Sequence, residues 1–106
     1  MIACVTVQSG DVGGGWGKAR SVALATVVDG EVTDWREIDV RWDIAHDEGT
    51  EGSHHARIVR FLREHDVEVV IAGHMGPPMQ NTLAKLGIRT VIGASGDARA
   101  AVLAAV

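Results

Sequence analysis

The chain of 106 residues has one cysteine, two prolines, one phenylalanine and no tyrosine. One thiol cannot close a disulfide within the chain. It also cannot build a multi-cysteine zinc site or hold an iron–sulfur cluster by thiolates. Cations are outnumbered as well: ten Lys and Arg against fourteen Asp and Glu give a formal net charge of −4. The arginines are scattered among acids, so nucleic-acid binding has little electrostatic support. No apolar run approaches the ~20 residues that span a bilayer. Residues 1–7 (Met-Ile-Ala-Cys-Val-Thr-Val) lack a charged stretch before an apolar one. No signal peptide is therefore expected, and Cys4 stands too early for a lipoprotein site. A cytoplasmic, reducing setting is the expectation.

Glycine and histidine are plentiful instead, with thirteen and five copies. The hydrophobic share of 46% is ordinary for a folded chain, and the length fits a single domain over residues 1–106. Residues 2–7 read as a buried strand. Residues 9–17 (Ser-Gly-Asp-Val-Gly-Gly-Gly-Trp-Gly) place five glycines in nine positions and read as a loop. Residues 20–28 form a second strand, and Asp29-Gly30 is a two-residue hairpin signal. Residues 31–41 form a third, with Ile38, Val40 and Trp42 alternating against Glu37, Asp39 and Arg41.

A polar loop over 43–52 leads to a helix over 53–65, where His54, Ile58, Phe61, Leu62 and His65 share a stripe. Residues 67–72 read as a strand buried on both faces. Pro77-Pro78 opens a second helix with Met79, Leu83 and Leu86 on its apolar side, and Gly87 stops it. Residues 88–92 are the last strand. Ser95 or Asp97 caps a final helix ending near residue 105.

The order βββαβαβα implies parallel, right-handed crossovers in its later part. The expected fold is α/β: a three-layer single domain on a mixed, mainly parallel five-stranded sheet. This order is similar to the ribonuclease-H-like motif. Metal-dependent nuclease chemistry on such a motif needs clustered carboxylates. Here the first strand carries no acid, and the fourth ends in Gly73-His74.

In this topology the glycine loop, the 43–52 loop, the start of the first helix and the 73–77 loop meet at one sheet edge. Ligands of open α/β sheets bind beyond the carboxyl ends of strands. His46, His54, His55 and His74 lie on those segments, and His65 lies at the far end. Each has a bland reading too. His54 fits a hydrogen-bonded core position as well as a ligand role, and His46 and His55 fit solvated ones. Trp16 either folds back into the protein or covers a ligand. Cys4 reads as packing. Met75 and Met79 flank the same edge, and thioethers bind soft metals.

Nucleotide motifs fail. Gly17-Lys18 is followed by Ala19, and Val12 stands where a P-loop needs its first glycine. A strand rather than a helix follows the glycines, which excludes a dinucleotide loop. No Gly-x-Ser-x-Gly elbow is present. Imidazole remains, as a ligand for zinc, copper, iron or nickel. Asp47 and Glu48 stand nearby to complete such a site or support it.

Four stretches carry a family resemblance over nearly the whole chain. Gly15-Trp16-Gly17-Lys18-Ala19 stands where the family has His-Phe-Gly-Arg-Ala, after the strand at 2–7. Asp29-Gly30-Glu31-Val32 matches its hairpin. Residues 67–77 (Val-Glu-Val-Val-Ile-Ala-Gly-His-Met-Gly-Pro) are similar to its Val-Asp-Val-Val-Ile-Ala-Gly-Gly-Ile-Gly-Pro. Leu86-Gly87-Ile88 and Gly93-Ala94-Ser95-Gly96 resemble its C-terminal signature. The chain thus resembles the dinitrogenase iron–molybdenum cofactor biosynthesis proteins, which include NifX-like proteins and the C-terminal domain of NifB-type proteins. The resemblance implies a ribonuclease-H-like domain without nuclease activity that binds or carries metalloclusters. There are two departures: the family's loop His is Gly15 here, and its second glycine after strand four is His74.

The leading expectation is a non-catalytic binder or carrier of a transition metal ion or metallocluster. His46, His54, His55 and His74 are its candidate ligands. Gly13, Gly14, Gly15, Trp16, Gly17, Gly73, Met75 and Gly76 are its candidate cofactor-contacting residues. The alternative is a protein-interaction or regulatory module that binds no metal and uses an exposed Trp16 and the glycine loop as its contact surface. A small metal-dependent hydrolase with Glu48 as base is a third reading. No nucleic-acid or membrane partner is expected. The oligomeric state is a monomer or a homodimer, the latter through an edge strand such as 31–41.

Overall fold

A computed structural model of the chain describes residues 1–45 and 50–106. Strand β1 (Ile2–Gln8) is apolar on both sides and lies at the centre of the sheet. A short strand β2 (Asp11–Val12) folds back against its end. Strand β3 (Ser21–Val28) runs antiparallel to β1, and β4 (Glu31–Asp39) runs antiparallel to β3. On the other side β5 (Val69–Ala72) is parallel to β1, and β6 (Arg89–Ile92) is parallel to β5. The strand order is β4-β3-β1-β5-β6, so only β3 among the five longer strands is reversed. The fold is α/β with a mixed, mostly parallel sheet.

Alternating side chains split the core into two layers. Cys4, Val22, Leu24, Val70 and Ala72 face helices α2 (Glu51–Glu64) and α3 (Pro77–Lys85), with Ile58, Leu62, Met79 and Leu83 opposite. Ala3, Val5, Ala23, Ala25, Val69 and Ile71 face helix α4 (Ala98–Ala105), with Ala98, Val102 and Ala105 opposite. The second layer is built mostly from small residues on both surfaces, which lets a short helix lie close to the sheet. Burial pushes the Cys4 thiol far above the usual cysteine range, because nothing solvates a thiolate there.

Local chemistry sets the boundaries. Asp29 and Gly30 both have positive φ, 51° and 78°, as a type I′ hairpin between β3 and β4 requires. Ser9 and Gly10 do the same at 53° and 85°, which makes the β1–β2 hairpin. The expected single loop over 9–17 is therefore a hairpin, a glycine segment and a 3₁₀ turn at Trp16–Lys18. Thr50 caps α2 in a reciprocal box with Ser53, starting the helix slightly earlier than the apolar stripe indicated. Asp97, rather than Ser95, caps α4 through Ala100 N–H at 2.9 Å.

One element departs from the alternation argument. Trp42 does not continue β4 but opens a short helix, α1 (Trp42–Ala45). Arg41 sits at φ 54° and turns the chain, and the Trp42 and Asp43 N–H groups both reach Ala19 O. The indole then enters the core, edge-on to Trp16 at 5.1 Å and to Phe61 at 5.5 Å. At the sheet edge, β4 carries Glu31, Asp34, Arg36, Glu37 and Asp39 on exposed positions, which discourages edge-to-edge pairing.

Candidate functional site

The glycine segment is stitched to the loop after β5. Gly73 N–H donates to Gly13 O at 3.2 Å, His74 N–H to Gly14 O at 2.9 Å, and Trp16 N–H to His74 O at 2.8 Å. A Cβ on Gly73 would lie 3.0 Å from Gly13 O and 3.2 Å from Gly14 O. A Cβ on Gly13 would lie 3.3 Å from the Thr6 Cβ. Backbone packing thus disfavours a side chain at Gly73, and the Thr6 side chain crowds one at Gly13 more mildly, whatever the site binds. Thr6, itself buried, reinforces the seam by donating its hydroxyl to Gly13 O.

Beyond this seam lies a cleft of about 620 Å³. The 3₁₀ turn forms one wall with Gly15, Trp16, Gly17 and Lys18. The start of α2 contributes His54 and His55, and the entry to α3 contributes His74, Met75, Gly76, Pro78 and Met79. Its size lies in the range of small-ligand sites. His74 is exposed, His55 is half-buried, and Met75 and Met79 are almost fully buried.

His54 is only 4% exposed and spans two walls. Its Nε2 lies 2.7 Å from Gly17 O, and a carbonyl can only accept, so Nε2 carries the proton. Its Nδ1 then accepts from Arg57 Nη1 at 3.4 Å. The ring braces the 3₁₀ turn against α2, whatever else it does. His65 sits at the far end of α2, its ring 4.6 Å from Phe61. His46, Asp47 and Glu48 lie outside the described residues. Among those described, no three His, Cys, Asp or Glu side chains converge in a set that could hold a metal ion.

Trp16 is fully buried, so it offers no exposed contact surface of the kind the interaction-module reading required. Its Nε1 is a buried donor with no partner among the described residues. Leaving that donor unpaired costs about 1–3 kcal/mol. Burying an indole, at roughly 200 Å² and ~25 cal/mol per Å², returns about 5 kcal/mol, so packing wins. Sequence reasoning did not single out Lys18 for the cleft. Its signal is its position directly after Trp16-Gly17, at the end of the turn.

The family model described as dinitrogenase iron–molybdenum cofactor matches residues 1–106. The chain belongs to this family. No curated protein sequence matches it. Among solved structures it is similar to the crystal structure of PH0822, with 17% identity, a TM-score of 0.72, and coverage of 92% of this chain and 80% of that one. It is also similar to mj0327 from Methanocaldococcus jannaschii, provisionally described as a dinitrogenase. That pair shows 16% identity, a TM-score of 0.65, and coverage of 97% and 84%. At such identities these structures establish a common fold. The walls of the cleft carry imidazole, thioether, ammonium and backbone groups. Among the described residues, no helix is long and apolar enough to cross a membrane.

Proposed function

We propose that this chain is a small, non-catalytic carrier of a metal ion or metallocluster, held in the cleft between the glycine segment and the starts of α2 and α3. One observation carries the reading: a chain that matches its family model over residues 1–106 brings His54, His55, His74, Met75 and Met79 to the walls of a single cleft. His55 and His74 contribute imidazoles from the cleft walls, and His54 would bind with the Nδ1 side after Arg57 moves. His46 is the fourth donor in this reading. The reading covers a bare ion and a preassembled cluster that brings its own ligands alike. Gly15 and Gly17 let backbone approach such cargo, and Met75 and Met79 offer soft thioether sulfur. A reducing cytoplasm belongs to the same reading.

The test is binding by untagged apo-protein under anaerobic conditions, with divalent metals and a synthetic iron–sulfur cluster as separate probes. Trp16 lines the cleft and Trp42 packs on it, so tryptophan fluorescence reports occupancy. The expected result is saturable quenching that weakens at least tenfold in a His55→Ala/His74→Ala double variant. Affinity no better than ~100 μM for every probe, about −5.5 kcal/mol, would overturn the proposal. So would unchanged affinity in the double variant.

A further inference from the structure

The glycine segment has a second side. Gly13 and Gly73 are explained by crowding, but Gly14 and Gly15 are not. Neither has a positive φ, and a Cβ on either would meet nothing within 4 Å. Gly15 is extended at φ −76° and ψ 130°, a conformation open to any residue. The fold alone gives no reason for bare backbone at these two positions.

The Gly15 amide points away from the seam. Gly15 and His74 form a parallel bridge in which Trp16 N–H and Gly14 O make the bonds to His74. In such a bridge the central residue's own N–H and C=O point to the opposite side. Among the described residues no acceptor meets the Gly15 N–H. The side it faces, over the ends of β1 and the start of β3, holds a second cleft of about 530 Å³. Gly14, Gly15, Lys18, Arg20, Ser9 and Ser21 line it. Two cations, two hydroxyls and bare backbone thus converge in a chain whose net charge is −4. The one carboxylate among the described lining residues, Glu37, accepts from Trp35 Nε1 at 3.2 Å. Asp39 reaches Arg20 only at 3.9 Å between exposed side chains, a weak pairing that a bound anion displaces.

We propose that this second cleft is an oxyanion site that takes a tetrahedral phosphate-like group, free or as the terminal phosphate of a small ester. The Gly15 N–H donates to it, and Lys18 and Arg20 neutralise it. This site does not depend on the cargo reading, since Arg20 and Ser21 do not line the first cleft.

The experiment is a titration of ¹⁵N-labelled protein with inorganic phosphate and, separately, with ribose 5-phosphate, at constant ionic strength set with chloride. Saturable shifts of the Gly14, Gly15, Ser9 and Ser21 amides are expected. Arg20→Ala should weaken binding at least fivefold. Gly15→Pro is the sharper variant, because φ −76° already suits proline and no protein hydrogen bond is lost. It deletes the donor and should also weaken binding at least fivefold with the His74–Gly14 seam bond retained, whereas Gly15→Ala, which keeps the N–H, should bind like the wild type. A tenfold preference for the ester assigns the site to an esterified phosphate, and equal affinity assigns it to the free anion. The proposal fails if no saturation occurs by 20 mM, if the shifts centre on His55 and His74, or if Gly15→Pro binds phosphate normally.

Discussion

Gly73→Ala tests the seam that shapes both clefts. The new methyl carbon would stand 3.0 Å from Gly13 O, 3.2 Å from Gly14 O and 3.3 Å from Gly14 Cα. All three are backbone atoms, so no flexible side chain can swing aside. The protein has two ways to respond. It can keep the seam and bear the overlap, at the ~1–3 kcal/mol typical of overpacking. It can instead part the two segments, losing the Gly73–Gly13, His74–Gly14 and Trp16–His74 bonds. At ~0.5–1.5 kcal/mol each, that route costs about 1.5–4.5 kcal/mol. The cheaper response dominates, so the expected loss is about 1–3 kcal/mol. This is a large share of a stability of ~5–15 kcal/mol, but it leaves most molecules folded. Urea unfolding measures it: with a slope near ~1–1.5 kcal/mol/M for a domain of this size, the midpoint should fall by about 2 M at unchanged slope. Gly15→Ala is the paired control, because its Cβ enters open space and its φ is ordinary, and it should stay within ~0.5 kcal/mol of wild type. If Gly73→Ala is as stable as Gly15→Ala, the close-approach argument is wrong.

Three other outcomes follow from the geometry. His54→Ala removes the bond to Gly17 O inside a buried seam and should cost ~1–3 kcal/mol in thermal unfolding, even in metal-free protein. A purely ligating role would leave apo stability unchanged. Asp97→Ala deletes the α4 cap and should cost ~1 kcal/mol, with the loss absent in Asp97→Asn or Asp97→Ser. The buried Cys4 thiol has a raised pKa when folded, so above roughly pH 8.5 the unfolded chain releases a proton that the folded chain retains. Stability should then fall with rising pH by up to ~1.4 kcal/mol per unit. Cys4→Ala should remove that part of the alkaline slope in denaturant titrations.

The strands and their directions were legible because each signal was local. Apolar runs marked β1 and β5, Asp29-Gly30 fixed one hairpin, and Pro77-Pro78 with Gly87 bracketed α3. Trp42 was misplaced because period-two alternation ran through it, while the turn at Arg41 answers to tertiary contacts: two amides on Ala19 O and an indole that packs on Trp16. The β1–β2 hairpin was obscured differently. Ser9-Gly10 carries a turn signal of its own, but five glycines in nine residues made the whole stretch look uniform. Within the site, composition brought out the histidines but not their partners. Whether a buried imidazole ligates or braces depends on which atom faces it, and Gly17 O lies 37 residues from His54 in the chain.

The glycines show most clearly how one residue type answers different demands within a few ångströms. Gly10 and Gly30 serve backbone conformation, with φ of 85° and 78°. Gly13 and Gly73 serve packing, since a methyl on either would crowd a neighbour. Gly14 and Gly15 serve neither: neither has a positive φ, a Cβ on either meets no atom within 4 Å, and both are exposed. The family resemblance places a histidine at position 15, and the structure leaves space for one: an ordinary φ and no atom within 4 Å of a Cβ. The absence of that side chain is therefore not forced by the fold. Bare backbone at position 15 leaves the first cleft to His55 and His74, while the amide of residue 15 faces the other side of the seam with or without a side chain. One substitution at this position therefore separates the two proposals. Gly15→His should strengthen metal binding in the first cleft and leave or weaken phosphate binding in the second, and a gain in both would mean that the two clefts are one site.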